Sequence, residues 1–317
     1  MNVKSFLQFV ELPTKAASMI PFLMGTLYAL YRYDDFYVLR FVLMFVSLLS
    51  FDMATTAINN YYDFKKASKT EGYGYETHNA IVRYKLKEST AVFTIILLLA
   101  LAAGGGIALV TQTGLLVFLL GGLSFLIGIL YSFGPIPISR MPLGELFSGL
   151  FMGFVIIFIS AYIHTDSSVV GLVIENGWVS LHISILEVLY LFWFSVPAIL
   201  GIAAIMLANN ICDIDDDIEN RRYTLPVYIG RANALTLYKL LYYVSYLDLV
   251  VLLMLGVHPV LVLLILLTLI PLRRNIARFT KKQEKATTFI LAVQNFIVMN
   301  TARIVIMGAA VLLSVLI

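Results

Sequence analysis

The stretch LANNICDIDDDIENRRYTL, residues 207–225, closes an apolar run that begins near residue 185. Residues four apart share one face of a helix. Asn209, Asp213, Asp217 and Arg221 therefore form one polar ridge, with Asp216 and Glu219 off it. The ridge starts inside the apolar run and continues into a polar connection. A second stretch, AINNYYDFKKASKTEG at 57–72, ends another apolar run in the same way, with Asn59 and Asp63 four apart and Asn60 alongside. Carboxylates at the edge of a membrane span are costly, and the cost usually marks function. One such cluster alone reads equally well as a wet or capped helix end. Two matching clusters favour a site. Hard oxygen ligands suit Mg²⁺, which commonly takes one or two carboxylates plus substrate phosphates. Asn59, Asp63, Asn209, Asp213 and Asp217 are the candidate Mg²⁺ ligands, and Asn60 and Asn210 are candidate substrate contacts beside them. A diphosphate bridged by Mg²⁺ is a good leaving group, and its loss from an allylic carbon leaves a carbocation. The protein then needs to bind the metal, exclude water and position a nucleophile. Arg221, Arg222 and the lysines after residue 63 are suited to the departing charge.

Composition sets the environment. The 317 residues are 60% hydrophobic and 13% charged, and the mean hydropathy is +0.91. Soluble domains are about a quarter charged, so a buried core alone does not explain the excess. Apolar runs near the ~20 residues needed to cross a bilayer do. Nine spans are expected, at 16–31, 36–62, 90–110, 114–131, 143–163, 185–208, 233–255, 257–272 and 288–316. The eighth is short and ends at Pro271. Each should be helical, because lipid offers no hydrogen bonds, and residues 1–317 read as a single all-α membrane domain. If spans alternate, the connections 63–89, 132–142, 209–232 and 273–287 share a face with Lys4 and Lys15. Those segments carry most of the Lys and Arg, whereas 164–184 carries Asp166 and Glu175 and no basic residue. The positive-inside rule then places the N-terminus in the cytoplasm. The N-terminal segment reads as retained and interfacial, not as a signal peptide. The single cysteine excludes an intrachain disulfide; the net charge of +3 says little as a total, and no nucleic-acid partner is expected.

Four stretches resemble the UbiA superfamily of intramembrane prenyltransferases: LPTKAASMIPFLMGT at 12–26, NNYYD at 59–63, YSFGPIPISRMPLGE at 131–145 and NNICDIDDDIENRRYTL at 209–225. The resemblance runs from about Glu11 to the last span and is greatest to the branch that prenylates 1,4-dihydroxy-2-naphthoate on the way to menaquinone (vitamin K2). It implies nine transmembrane helices around a central cavity, with cytoplasmic polar cap loops. It implies Mg²⁺-dependent transfer from a polyprenyl diphosphate to a small aromatic acceptor, with loss of the acceptor's carboxylate, in a bacterial cytoplasmic membrane. It aligns Arg222 with the family's basic residue before Thr-Leu, and Lys15 with the basic residue of its opening segment. Asp63, Asp213, Asp217, Arg222 and Lys15 are thus the expected catalytic set. Asn59, Asn60, Asn209, Asn210, Tyr131, Arg221 and Glu145 are the expected substrate contacts. The first motif departs from the family: Ala67 stands where another aspartate is usual, Asn60 where the menaquinone branch often has Asp, and Glu71 is the nearest substitute. The number of Mg²⁺ ions stays open, as do tail length and oligomeric state.

Other residues read more plainly. Tyr131 suits a cation-stabilising ring or an interfacial belt, and Glu145 suits a substrate contact or a helix start. Cys212 points about 100° from Asp213 on a helix and reads as packing. Arg83 is the candidate base of the first polar loop, which also holds His78. His164, His182 and His258 read as interface residues on the far face. Arg303, inside the last span, has no evident partner. Three rivals share some of these features. Other acceptors used within the superfamily are 4-hydroxybenzoate, homogentisate, haem and a glycerol-phosphate lipid. A cation-coupled transporter should carry mid-bilayer polar residues on both sides, whereas these acids cluster at one face. A CDP-alcohol phosphotransferase should carry a tighter Asp-Gly…Gly…Asp…Asp signature, which is absent.

Overall fold

The computed structural model describes residues 1–66, 79–132, 137–165 and 168–316. Ala67, Lys69, Glu71, His78, residues 133–136 and Asp166 lie outside the described residues. Thirteen helices are described: α1 (Val3–Phe9), α2 (Ala16–Tyr33), α3 (Val38–Lys66), α4 (Ala80–Arg83), α5 (Glu88–Thr113), α6 (Leu115–Ser132), α7 (Gly144–Tyr162), α8 (Ile185–Cys212), α9 (Ile214–Glu219), α10 (Leu225–Ile229), α11 (Arg231–Met254), α12 (Pro259–Lys281) and α13 (Ile290–Leu316). Seven of them, α3, α5, α7, α8 and α11 to α13, are long and apolar enough to cross a membrane. The two other expected spans correspond to α2, which is interrupted by Pro21 yet continuous, and to the shorter apolar helix at Leu115–Tyr131.

Two expectations are corrected. The chain is not purely helical, because Val170–Glu175 (β1) and Trp178–Ile183 (β2) form an antiparallel hairpin between α7 and α8. Its turn residues Asn176 and Gly177 both have positive φ, the requirement of the tight hairpin turn that Asn-Gly favours. The eighth span does not end at Pro271, because α12 continues to Lys281. A tighter 3₁₀ turn at Ile265–Thr268 precedes the proline, where the missing N–H would otherwise leave a carbonyl unpaired.

The chain forms two compact units, Met1–Met19 with Val38–Ile129 and Ile20–Tyr37 with Leu130–Ile317. In the first, α3 packs along α5. Gly105 lets the backbones approach: a Cβ there would lie 3.3 Å from Leu43 O and from Ser47 N. Ser47 Oγ donates to Ala102 O at 2.7 Å across the same contact. Small residues and short hydroxyl bonds of this kind hold helices together where lipid supplies no hydrophobic drive.

The second unit is built on α8, whose Phe194, Ala198, Ala204, Leu207, Ala208 and Ile211 are fully buried. Helix α7 crosses it at Gly149 and Gly153. A Cβ on Gly153 would lie 2.6 Å from both N and Cα of Ile199, so nothing larger than glycine fits. Around this crossing, Gly149–Val155 is wound as a π-helix, a local widening that recurs at functional sites. The partner of Arg303 is Asp248 on α11. Arg303 Nε donates to Oδ2 at 2.6 Å and Nη2 to Oδ1 at 2.7 Å, with both side chains fully buried. Met299 O accepts a further bond from Nη1 at 2.8 Å, and the guanidinium lies 5.1 Å from the centre of the Tyr246 ring. A two-pronged pair with its remaining donors engaged is the form in which a buried charge is tolerated. His164 is likewise no interface residue: it is fully buried, stacks on Phe36 and accepts the Tyr37 N–H at Nδ1.

Candidate active site

At the end of α8 the expected ridge is only partly regular. The helix stops at Cys212, and Asp213 is the joint to α9. The four-residue spacing survives the joint, because Asp213 N–H donates to Asn209 O (3.1 Å) and Asp217 N–H to Asp213 O (2.7 Å). Asn209 Nδ2 also reaches Asp213 Oδ2 at 3.4 Å. The Lys285 ammonium pairs with the same oxygen, which marks it as a seat for positive charge. Asp217 is only 4% exposed. Thr224 Oγ1 donates to its Oδ2 at 3.0 Å, and Arg222 Nη1 lies 3.9 Å from its Oδ1. Burial pushes the Asp217 carboxyl above the ordinary aspartate range, against the Thr224 hydrogen bond and the Arg222 charge, which pull it down.

The helical ridge does not extend to Arg221. That residue adopts φ +53°, so the chain turns back and Arg222 N–H donates to Asp217 O at 2.8 Å. The turn, not helix periodicity, brings Arg222 beside the acid, and both arginines are exposed. Cys212 packs against the hydrophobic core around α8, as expected of a packing residue.

The 131–145 stretch lies against this helix end. Tyr223 N–H donates to Arg140 O at 3.2 Å, and Asn210 Nδ2 donates to Glu145 Oε1 at 2.9 Å. Glu145 is 5% exposed. Its Oε2 and the Tyr131 Oη are buried without a hydrogen-bond partner among the described residues. A buried polar atom left unpaired is expensive and calls for an explanation.

In the first unit, Asn59 and Asp63 are exposed near the end of α3. Asn60 faces elsewhere: its Nδ2 donates to Phe9 O (3.0 Å) and Glu11 Oε1 (3.3 Å), while Asn79 Nδ2 donates to Asn60 O (2.8 Å). It ties the N-terminal segment to α3. Arg83 sits beside Gln8, with Nη1 3.3 Å from its Oε1. Lys65 pairs with Glu88 at 2.6 Å.

Lys15 is only 3% exposed. Its ammonium donates to Asp52 Oδ1 (2.6 Å), Asp52 O (3.1 Å) and Thr56 Oγ1 (2.7 Å). An ammonium has three donors, so all are used within the helix pair. Asp52 also accepts from Ser18 Oγ. Asp52 was not singled out from the sequence, although an acid in mid-span, seven before Asn59 and eleven before Asp63, lies on their helical face.

Among the described residues, no three His, Cys, Asp or Glu side chains converge as a self-contained metal cage. A Mg²⁺ site completed by substrate phosphates needs only one or two carboxylates. Asp213 and Asp217, on successive turns and with Lys285 already drawn to one of them, fit that donor chemistry.

The chain belongs to the UbiA prenyltransferase family, whose sequence profile matches residues 18–300. It is similar to the 1,4-dihydroxy-2-naphthoate octaprenyltransferase of Bacillus subtilis (strain 168), at 36% identity over 249 residues covering 77% of this chain and 71% of that protein. Two solved structures share its fold. A UbiA homolog from Aeropyrum pernix K1 has a TM-score of 0.65 and 17% identity, covering 94% of this chain and 98% of that one. A UbiA homolog from Archaeoglobus fulgidus bound to GPP and Mg²⁺ has a TM-score of 0.64 and 16% identity, covering 97% and 99%.

Proposed function

We infer that the protein transfers a polyprenyl group from its diphosphate to 1,4-dihydroxy-2-naphthoate, with loss of the ring carboxylate as CO₂, in menaquinone biosynthesis. The observation that carries this reading is the 36% identity, over most of the chain, to a protein of that activity. Residues 1–317 act as one nine-span domain in a bacterial cytoplasmic membrane, N-terminus inside, with the polar loops as cytoplasmic caps. Asp213, Asp217 and Asn209 would hold Mg²⁺ at one helix end and Asp63 and Asn59 would do so at the other, where the metal would supply electrophilic activation of the diphosphate. Arg222 receives the departing negative charge; the exposed Arg221 serves only as a more distant cation. The apolar helix faces take the prenyl tail and keep water from the carbocation. The C–O bond to diphosphate breaks, and a new C–C bond forms at the ring carbon that carries the carboxylate. The carboxylate then leaves as CO₂, and its bonding pair restores the aromatic ring.

The remaining side chains position these groups. Lys15, with its donors filled by Asp52 and Thr56, fixes the polar face of α3. Asn60 fixes the N-terminal segment, and Asn210 fixes Glu145. The unpaired Glu145 and Tyr131 oxygens are the polar contacts offered to the acceptor. Purified protein in detergent, given labelled prenyl diphosphate and 1,4-dihydroxy-2-naphthoate in single turnover, tests the reading. A prenylated naphthoquinol that requires Mg²⁺ and disappears with chelator supports it. Product with another aromatic only would sink the acceptor. Product formation indifferent to chelator would sink the mechanism.

A further inference from the structure

The β1–β2 hairpin has one wholly aliphatic face. Val170 pairs with Ile183, Leu172 with Leu181 and Ile174 with Val179, and strand side chains alternate between faces. These six residues therefore lie together. The opposite face is mixed, with Val173, Glu175, Trp178, Ser180 and His182 among its members. Val170 is buried, but Ile174, Val179, Leu181 and Ile183 are each more than half exposed, and Trp178 beside the turn is 78% exposed. An isolated two-stranded hairpin is marginal in water, and a continuous exposed apolar patch marks a surface made to be covered.

Placement says what covers it. Strand β2 runs into α8 through Ser184 alone, and α8 starts with Ile185 and Leu186, both exposed. Six residues at about 3.3 Å each reach only ~20 Å, so the hairpin stays within reach of the membrane that α8 crosses. The 28 residues of α8 span about 42 Å, which puts the hairpin on the side opposite Asp213. The hairpin carries no Lys or Arg, and tryptophan favours the membrane–water boundary. The positive φ values at Asn176 and Gly177 fix the turn and hence the register, so the aliphatic face cannot be turned inward by a slip.

We propose that the aliphatic face of this hairpin lies on the bilayer at the headgroup–acyl boundary, on the side opposite Asp213. This contact sets the depth of α8 independently of the chemistry at its other end. The chain has two tryptophans, so Leu181→Trp in a Trp178→Phe/Trp193→Phe background places the only reporter on the aliphatic face. The full-length variant in phosphatidylcholine vesicles should show blue-shifted emission. Lipids brominated near the headgroup should quench it more than lipids brominated near the chain end, and aqueous acrylamide should quench it weakly. Val179→Asp in that background should shift the emission to the red and reduce bromolipid quenching. Quenching by acrylamide above that by bromolipid would show a hairpin in water and overturn the proposal. Shielding from both quenchers would show a protein cover, such as a second copy, and overturn it equally. If that background does not fold, the signal of Leu181→Trp in the otherwise wild-type chain minus the wild-type signal gives the same reading.

Discussion

The two Asn…Asp helix ends look alike in sequence and handle charge in opposite ways. At the end of α3 the sheltered charge lies deep: Asp52, eleven residues before Asp63, holds the buried Lys15, whereas Asn59 and Asp63 themselves are exposed. At the end of α8 the outer acid is the sheltered one, with Asp217 tucked against Thr224. The cause is local geometry. Helix α3 runs on through the motif to Lys66, so its outer side chains project outward. Helix α8 breaks at Asp213, and the turn at Arg221 folds the chain back over Asp217. Burial of an acid is thus set by whether the helix continues past it, and distance from the apolar run is a poor guide.

The largest effect that would sharpen this contrast is expected at Lys15. Removing one member of a buried pair strands the other and costs about 3–5 kcal/mol. Lys15→Met should therefore lower the unfolding temperature in detergent sharply, and the double variant Lys15→Met/Asp52→Leu should recover most of it. Recovery of stability together with activity would make the pair structural. Recovery of stability alone would put Lys15 or Asp52 in the chemistry. Next come the acids. Asp213→Asn and Asp217→Asn should each cut single-turnover prenylation by about 10²- to 10³-fold, the scale for losing a preorganised charge-stabilising group. Asp63→Asn should cost less, because its exposed charge is screened by water. Equal losses at Asp63 and Asp217 would break the contrast. A smaller effect should separate the two arginines. Arg222→Gln should raise KM for the prenyl diphosphate by about tenfold, or ~1.4 kcal/mol, with Arg221→Gln close to wild type. The reverse order would mean that the continuous helical ridge describes the working state better than the folded-back turn. On stability instead of catalysis, Gly153→Ala is expected to cost about 3 kcal/mol or more by overpacking against the Ile199 backbone, with unchanged KM in the folded fraction. A rise in KM there would tie the π-helical crossing to the site.

Most of the helical architecture was legible because apolar runs of membrane length have few alternatives. Both acidic motifs were legible for a similar reason, since polar ridges inside such runs stand out. What escaped depends on partners far apart in sequence. Asp52 and Asp248 each looked like isolated acids, because Lys15 and Arg303 lie 37 and 55 residues away. The contact of Arg222 with Asp217 rests on one left-handed residue, Arg221, which helical spacing does not foresee. The hairpin did carry its signal, Asn176-Gly177 between aliphatic runs. The expectation of helices alone in a membrane chain overrode it.

The Arg303–Asp248 pair has a consequence for how the chain is made. An ionised side chain at the centre of a span costs about 2.5–3.5 kcal/mol on insertion. Synthesis runs from the N-terminus, so α11 enters the membrane with Asp248 before α13 exists. The acid has no guanidinium to meet until 55 more residues have followed. Helix α13 is then drawn in by the charge already waiting for it, and its own arginine is neutralised on arrival. Nascent chains that stop short of residue 303 leave Asp248 without the guanidinium that pairs with it in the finished bundle.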